Sequence, residues 1–154
     1  MRKCYTCGET HSNRDANYEP CPNERCAGKT IKIDRQLFKV VDLLAKIGYD
    51  IINADIVWNT RDSFGNHLIY IVIEFSREYN EMCFHNLPSG FTVKQTIQIP
   101  KRDMLVFRKL FGNDFDDETI RLAFKDTIKN LTNWVVNMSK DEKRLDKLRF
   151  MGYL

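Results

Sequence analysis

The apolar positions of this chain change their period several times, and each change predicts an element. Leu37, Val40, Val41, Leu44 and Ile47 recur at helical spacing, with Phe38 and Ala45 widening the stripe. Asp34 stands ahead of them as an N-cap and Gly48 behind them as a C-cap, so the spacing predicts a core-facing helix over 34–48. Residues 49–59 are rich in β-formers and read as a strand. Asp62, Ser63, Gly65 and Asn66 form a turn cluster. His67 to Phe75 is a near-continuous β run, which predicts a central strand covered on both faces. The two strands are expected to pair as an antiparallel hairpin. Met82-Cys83-Phe84 reads as a short strand, and Phe91 to Ile99 alternates with period two up to Pro100, as a half-exposed strand does. Residues 103–111 read as a short helix through Met104, Leu105, Phe107, Leu110 and Phe111. From about residue 116 to 150 the period is helical again. Ile120, Phe124, Ile128, Leu131, Val135 and Met138 form one stripe, and Ser139-x-x-Glu142 has the form of a capping box opening a second helix.

Residues 1–30 break this pattern. They are polar, with Tyr5 and Tyr18 as their only clear apolar residues, and cannot bury enough surface to fold alone. They also carry two cysteine pairs, Cys4-x2-Cys7-Gly8 and Cys21-Pro22-x3-Cys26. Four thiolates satisfy a tetrahedral zinc ion, and a closed set of this kind holds metal for structure rather than catalysis. The expectation is one structural Zn2+ per chain on Cys4, Cys7, Cys21 and Cys26. Two alternatives stand beside it: a pair of disulfides, or His11 replacing one cysteine. The expected fold class is α+β. A zinc ribbon or knuckle spans 1–30, and residues 31–154 form a helix packed on an antiparallel sheet of three or four strands, with a C-terminal helical segment over about 116–150.

A chain of 154 residues with 43% hydrophobic and 12% aromatic content suits one folded unit. No apolar run reaches a membrane span, and Met1-Arg2-Lys3 leads into Cys4 rather than into an apolar leader. A cytoplasmic protein is expected, in which paired cysteines favour metal over disulfides. A net charge of +3 decides neither for nor against nucleic acid.

Three stretches carry a resemblance: Leu44-Ala45-Lys46-Ile47-Gly48-Tyr49, Tyr70-Ile71-Val72-Ile73-Glu74-Phe75 and Leu87-Pro88-Ser89-Gly90-Phe91. Over about residues 34–95 the chain resembles a group of small, mostly uncharacterised proteins of bacteriophages and Gram-positive mobile elements. The group often carries Cys and His between the two strands, where this chain has Trp58, Asn59 and Arg61, with His67 at the end. The resemblance implies an α+β core and a phage or prophage origin, and no reaction.

Candidate chemistry is sparse. Cys83 and His85, with His67 and Glu74 in the sheet, suggest a remote Cys–His pair or second metal site, against the simpler reading of Cys83 as a small buried apolar group. Asp114, Asp116, Asp117 and Glu118 lack the layout of a calcium loop, and they suit a helix N-terminus electrostatically. No phosphate-binding glycine loop or Ser/His/Asp signature is present, so an enzyme is not expected. What remains is binding. In the first reading the chain is a small regulator or inhibitor that docks on a host protein, with Tyr5, Arg14, Tyr18, Arg25, Trp58 and Phe64 as the partner-binding residues and Phe150, Met151 and Tyr153 as further anchors. In the second, Arg2, Lys3, Arg14, Arg25, Lys29 and Lys32 bind nucleic acid. Within residues 1–32 those six basic side chains face four acidic ones, a weak net field.

Overall fold

The computed structural model describes residues 2–6, 10–11, 19–21, 29–58 and 60–154. Its strands are β1 (Arg2–Cys4), β2 (Thr10–His11), β3 (Glu19–Pro20), β4 (Lys29–Ile33), β5 (Ile51–Val57), β6 (His67–Phe75), β7 (Phe91–Gln95) and β8 (Asp103–Phe111). Its helices are α1 (Phe38–Ile47), α2 (Asp117–Lys140) and α3 (Glu142–Phe150), with 3-10 turns at Arg35–Leu37 and Glu81–Phe84. The chain is α+β.

The expected first helix is present with both of its stops. The Asp34 carboxylate accepts from the Gln36 amide at 3.0 Å, a 3-10 turn follows, and α1 runs to Gly48. Gly48 takes φ +126°, a conformation open to a residue without a Cβ, and its amide returns to Leu44 and Ala45 carbonyls. Val40, Val41, Leu44 and Ile47 are buried along one face.

All eight strands form one mixed sheet in the order β2-β1-β4-β5-β6-β8-β7, with β3 pairing onto β4 beside this path. The expected sheet of three or four antiparallel strands is therefore corrected on two counts. First, β4 pairs parallel with β5 through Lys32–Asn53 and Ile33–Ala54, and α1 is the connection between them. Parallel neighbours need such a crossover. Second, residues 103–111 are not a helix but a nine-residue strand between β6 and β7. The antiparallel β5–β6 hairpin is as expected, with β6 central.

Strand alternation separates two faces. Ile69, Ile71, Ile73 and Phe75 of β6 are fully buried in a core shared with Ala54, Leu105, Phe107 and the apolar stripes of all three helices. The intervening Leu68, Tyr70 and Glu74 are half-buried, so β6 is not covered equally on both faces, as its unbroken apolarity suggested. On that second face Tyr70 pairs with Arg108 and Val72 with Val106. Continuous apolarity reflects tight neighbours there, since Val72 and Val106 are 7% and 4% exposed.

The C-terminal helices match the predicted stripe, with Ile120, Phe124, Leu131, Trp134, Val135 and Met138 buried. The boundary between them differs. Ser139 lies inside α2 and its hydroxyl donates back to the Val136 carbonyl at 2.7 Å, while Asp141 caps α3 by accepting from the Arg144 amide. A serine can satisfy itself against its own helix, and a carboxylate competes well for the N-cap position. Met82-Cys83-Phe84 is part of a 3-10 turn rather than a strand, capped by Asn80. The strand predicted to reach Ile99 stops at Gln95, leaving Ile97 and Ile99 on a hairpin tip.

Candidate functional site

The cysteine segment adjoins the sheet through β4. Thr30 of β4 pairs with Cys4 on one side and with Glu19 on the other, both antiparallel. Strands β1 and β3 therefore run in the same direction along β4. Cys4 closes β1 and Cys21 follows β3, so both emerge at the end where β4 begins. Cys4 is fully buried and Cys21 is 7% exposed. By sequence, Cys7 stands three positions past Cys4, and Cys26 three positions before Lys29. Cys7 and Cys26 lie outside the described residues, as do Arg14, Tyr18 and Arg25. Among the described residues no group of three or more His, Cys, Asp or Glu side chains is placed to hold a metal. The described pair thus places two buried sulfurs at the same end of β1 and β3, on either side of β4, whose Ile33 is fully buried in the main core.

What ties this unit to the rest is Asp42 of α1. Its carboxylate accepts from Lys3 Nζ at 2.7 Å and from the Tyr5 hydroxyl at 2.8 Å. Burial, and then the bond to Asp42, push the Tyr5 phenol well above its ordinary range. Tyr5 is therefore a half-buried strut against α1 rather than a free anchor for a partner. Alternation along the strand directs Cys4 to the side away from α1. Lys3 is engaged as well, and Arg2 is buried beside Thr30, with 3.5 Å between guanidinium and hydroxyl. Two of the six cations expected to contact phosphates are thus already committed.

Of the other expected anchors, Trp58 is half-buried and stacks on Phe124 of α2, with ring centroids 4.4 Å apart and planes within 1°. It belongs to the packing between the β5–β6 connection and α2. Phe64 is 79% exposed at the tip of that connection.

Of the possible Cys–His pair, Cys83 is buried while its neighbour His85 is exposed, and His67 is not brought to Cys83. Cys83 is buried near Phe75, at the far end of β6 from His67, and its thiol contacts the Tyr153 carbonyl at 3.6 Å. Eight residues of strand separate His67 from Phe75, roughly 26 Å at 3.3 Å per residue. Burial pushes the Cys83 thiol pKa up, the opposite of what a nucleophile needs. Glu74 lies on the other face of the sheet from His67. His67 itself is 6% exposed, with both ring nitrogens lacking a hydrogen-bond partner. Burial first, then the Arg61 guanidinium, hold its pKa down, against a smaller opposite pull from Asp117. Three of the four residues of the acidic cluster are likewise accounted for. Asp116 caps α2, Asp117 binds Arg61, and Glu118 pairs with Arg121.

One feature went unread in the sequence. The polar side of α2 carries Asn130, Asn133 and Asn137, and the 81–90 loop stands against it to form a cleft of about 430 Å³. The loop is fixed in place. Trp134 Nε1 donates to the His85 carbonyl at 3.0 Å, Arg144 donates to the Met82 carbonyl, and the Tyr49 hydroxyl donates to the Cys83 carbonyl. The signal available in the sequence was three asparagines at i, i+3 and i+7 of a helix that gains nothing from them locally.

Comparison with protein-family models, with curated proteins and with solved structures gave no match. Among the described residues no helix is long and apolar enough to cross a membrane.

Proposed function

We propose that the chain is a small zinc-binding regulator or inhibitor of bacteriophage type, which acts in the bacterial cytoplasm by binding a host protein. The observation that carries this reading is the set of large apolar side chains held out at element tips: Phe64 is 79% exposed, Ile97 98%, Ile99 91% and Phe150 93%. Such side chains gain only when a partner covers them. The zinc ion is assigned to Cys4, Cys7, Cys21 and Cys26. It is supported by the buried Cys4 and Cys21 at one strand end and by a segment too polar to hold itself. Its role is structural, and no reaction is assigned to the chain. The phage character rests on the resemblance over about residues 34–95. The nucleic-acid reading is the weaker one, because Lys3 is bound to Asp42 and Arg2 is buried.

The test is affinity capture from bacterial lysate with the wild-type chain and with a Phe64→Ser/Ile97→Ser/Ile99→Ser variant. The reading expects one stoichiometric protein partner, lost from the variant, and about one zinc per chain by elemental analysis. Recovery of nucleic acid alone, released steeply as salt rises, would reject it.

A further inference from the structure

We infer that the asparagine-lined cleft between α2 and the 81–90 loop is a recognition groove for an extended, acidic peptide segment of a partner protein. The inference rests on the protein-binding reading above and gives its partner a chemistry.

The argument begins with a cost. Asparagine is a poor residue inside a helix, because its amide competes with the backbone for hydrogen bonds. Three of them along one line of α2 would be expected to earn their place by bonding to something. Among the described residues, the side chains of Asn130, Asn133 and Asn137 form no hydrogen bond, and all three are exposed. They line a cleft together with Asn86 and Ser89 from the loop. Each amide offers a donor and an acceptor side by side, which is what a peptide group offers in return.

Spacing favours an extended chain. Asn130 and Asn137 are seven residues apart on the helix, about 10 Å at 1.5 Å per residue. Three residues of extended peptide span about the same length. A peptide lying along α2 would thus present backbone groups to successive asparagines.

Charge gives the preference for acidic residues. The cleft continues into a second depression of about 390 Å³, in which Lys143, Arg144 and Lys147 gather around a single carboxylate, Asp141. His85 borders both. A segment leaving the asparagines enters a cationic field.

Single-stranded nucleic acid suits the groove less well. Its bases need an open aromatic face, whereas Trp134 is 8% exposed and its indole nitrogen is engaged by the loop. The loop backbone is already held by Trp134, Arg144 and Tyr49, so a peptide has chiefly side chains to order on the protein side.

The experiment uses the full-length 15N-labelled chain. It is titrated with a degenerate hexapeptide pool alternating glutamate with mixed apolar residues, with the matching lysine pool, and with oligothymidine. The glutamate pool should shift the side-chain amide signals of Asn130, Asn133 and Asn137, with an affinity at least about tenfold above that of the lysine pool. Asn133→Ala/Asn137→Ala should weaken binding by about tenfold or more while leaving thermal stability unchanged or raised, since alanine is the better helix former. Absence of shifts at about 1 mM peptide, equal shifts with the lysine pool, or shifts with oligothymidine alone would each overturn the inference. A host protein captured undiminished by this variant sinks the groove but spares the regulator reading. Capture that fails for the wild-type chain sinks that reading, while the peptide titration still decides the groove.

Discussion

The cysteine-bearing strands and the helix-backed part of the same sheet are built on opposite principles. Around β6, strands of seven to nine residues place Ile69, Ile71, Ile73 and Phe75 against three helices, and burial alone suffices. Around β1, strands of two to five residues carry Arg2, Lys3 and Thr30, and polar ties join the apolar ones of Ile31 and Ile33: Lys3 and Tyr5 to Asp42, Arg2 beside Thr30. One sheet thus holds a region stabilised chiefly by its interior and another that joins that interior through Ile33 and adds specific polar links. The lesson is that continuity of hydrogen bonding does not imply a common source of stability.

That contrast can be broken most strongly by removing metal. If zinc closes the cysteine segment, chelation removes stabilisation on the order of 10 kcal/mol from that segment. Amide hydrogen exchange should then rise in β1 and β4 while β6 and β8 stay protected. Equal loss of protection in both regions, or no change in either, would count against a separately stabilised segment.

The converse change is Ile71→Ala at the centre of β6, a fully buried position. It should cost about 2–5 kcal/mol in denaturant unfolding, as large-to-small core changes do. Zinc content per folded chain should stay the same.

A smaller effect is expected at the link between the regions. Asp42→Asn removes the charge that holds Lys3 and Tyr5, for a loss of about 1–3 kcal/mol. The Tyr5 phenol should also titrate closer to its ordinary value, which ultraviolet titration can follow.

The smallest is set by acid. His67 is buried with its pKa held below the ordinary 6.5, so the folded state binds a proton less readily than the unfolded chain. Its contribution is fully present above about pH 6.5 and is lost as pH falls from there toward its folded value. His67→Phe should flatten the stability-against-pH curve below about pH 6.5. An unchanged curve would show that His67 does not set it.

How much of this was readable beforehand varies by element. Asp34, the stripe from Leu37 to Ile47, and Gly48 gave local cap and period signals that agree, so α1 was legible. The β5–β6 hairpin was legible from β-formers flanking Asp62 to Asn66. Strand β8 was not, because Met104, Leu105, Phe107, Leu110 and Phe111 fit a helical period as well as a strand. Its assignment is made by β6 and β7 on either side, which no local window contains. The parallel pairing of β4 with β5 was hidden for the same reason. For the sites, cysteine spacing pointed to a metal, while the sequence alone could not tell whether Trp58 and Tyr5 were partner anchors or packed side chains, and Phe124 and Asp42 stand against them. The asparagine cleft exists only where a distant loop meets α2, so no local window of the sequence contains it.

The pairing of β4 with β5 has one more consequence, for self-association. Strand β5 spans Ile51–Val57, and its outer edge is met by β4 at Asn53 and Ala54. An uncovered β-rich edge is a template for another chain. Strand β4, flanked by the cysteine-bearing β1 and β3, is thus also an edge guard. If zinc closes the cysteine segment, as proposed, its removal should be felt first as oligomers growing from β5, before any unfolding of the core.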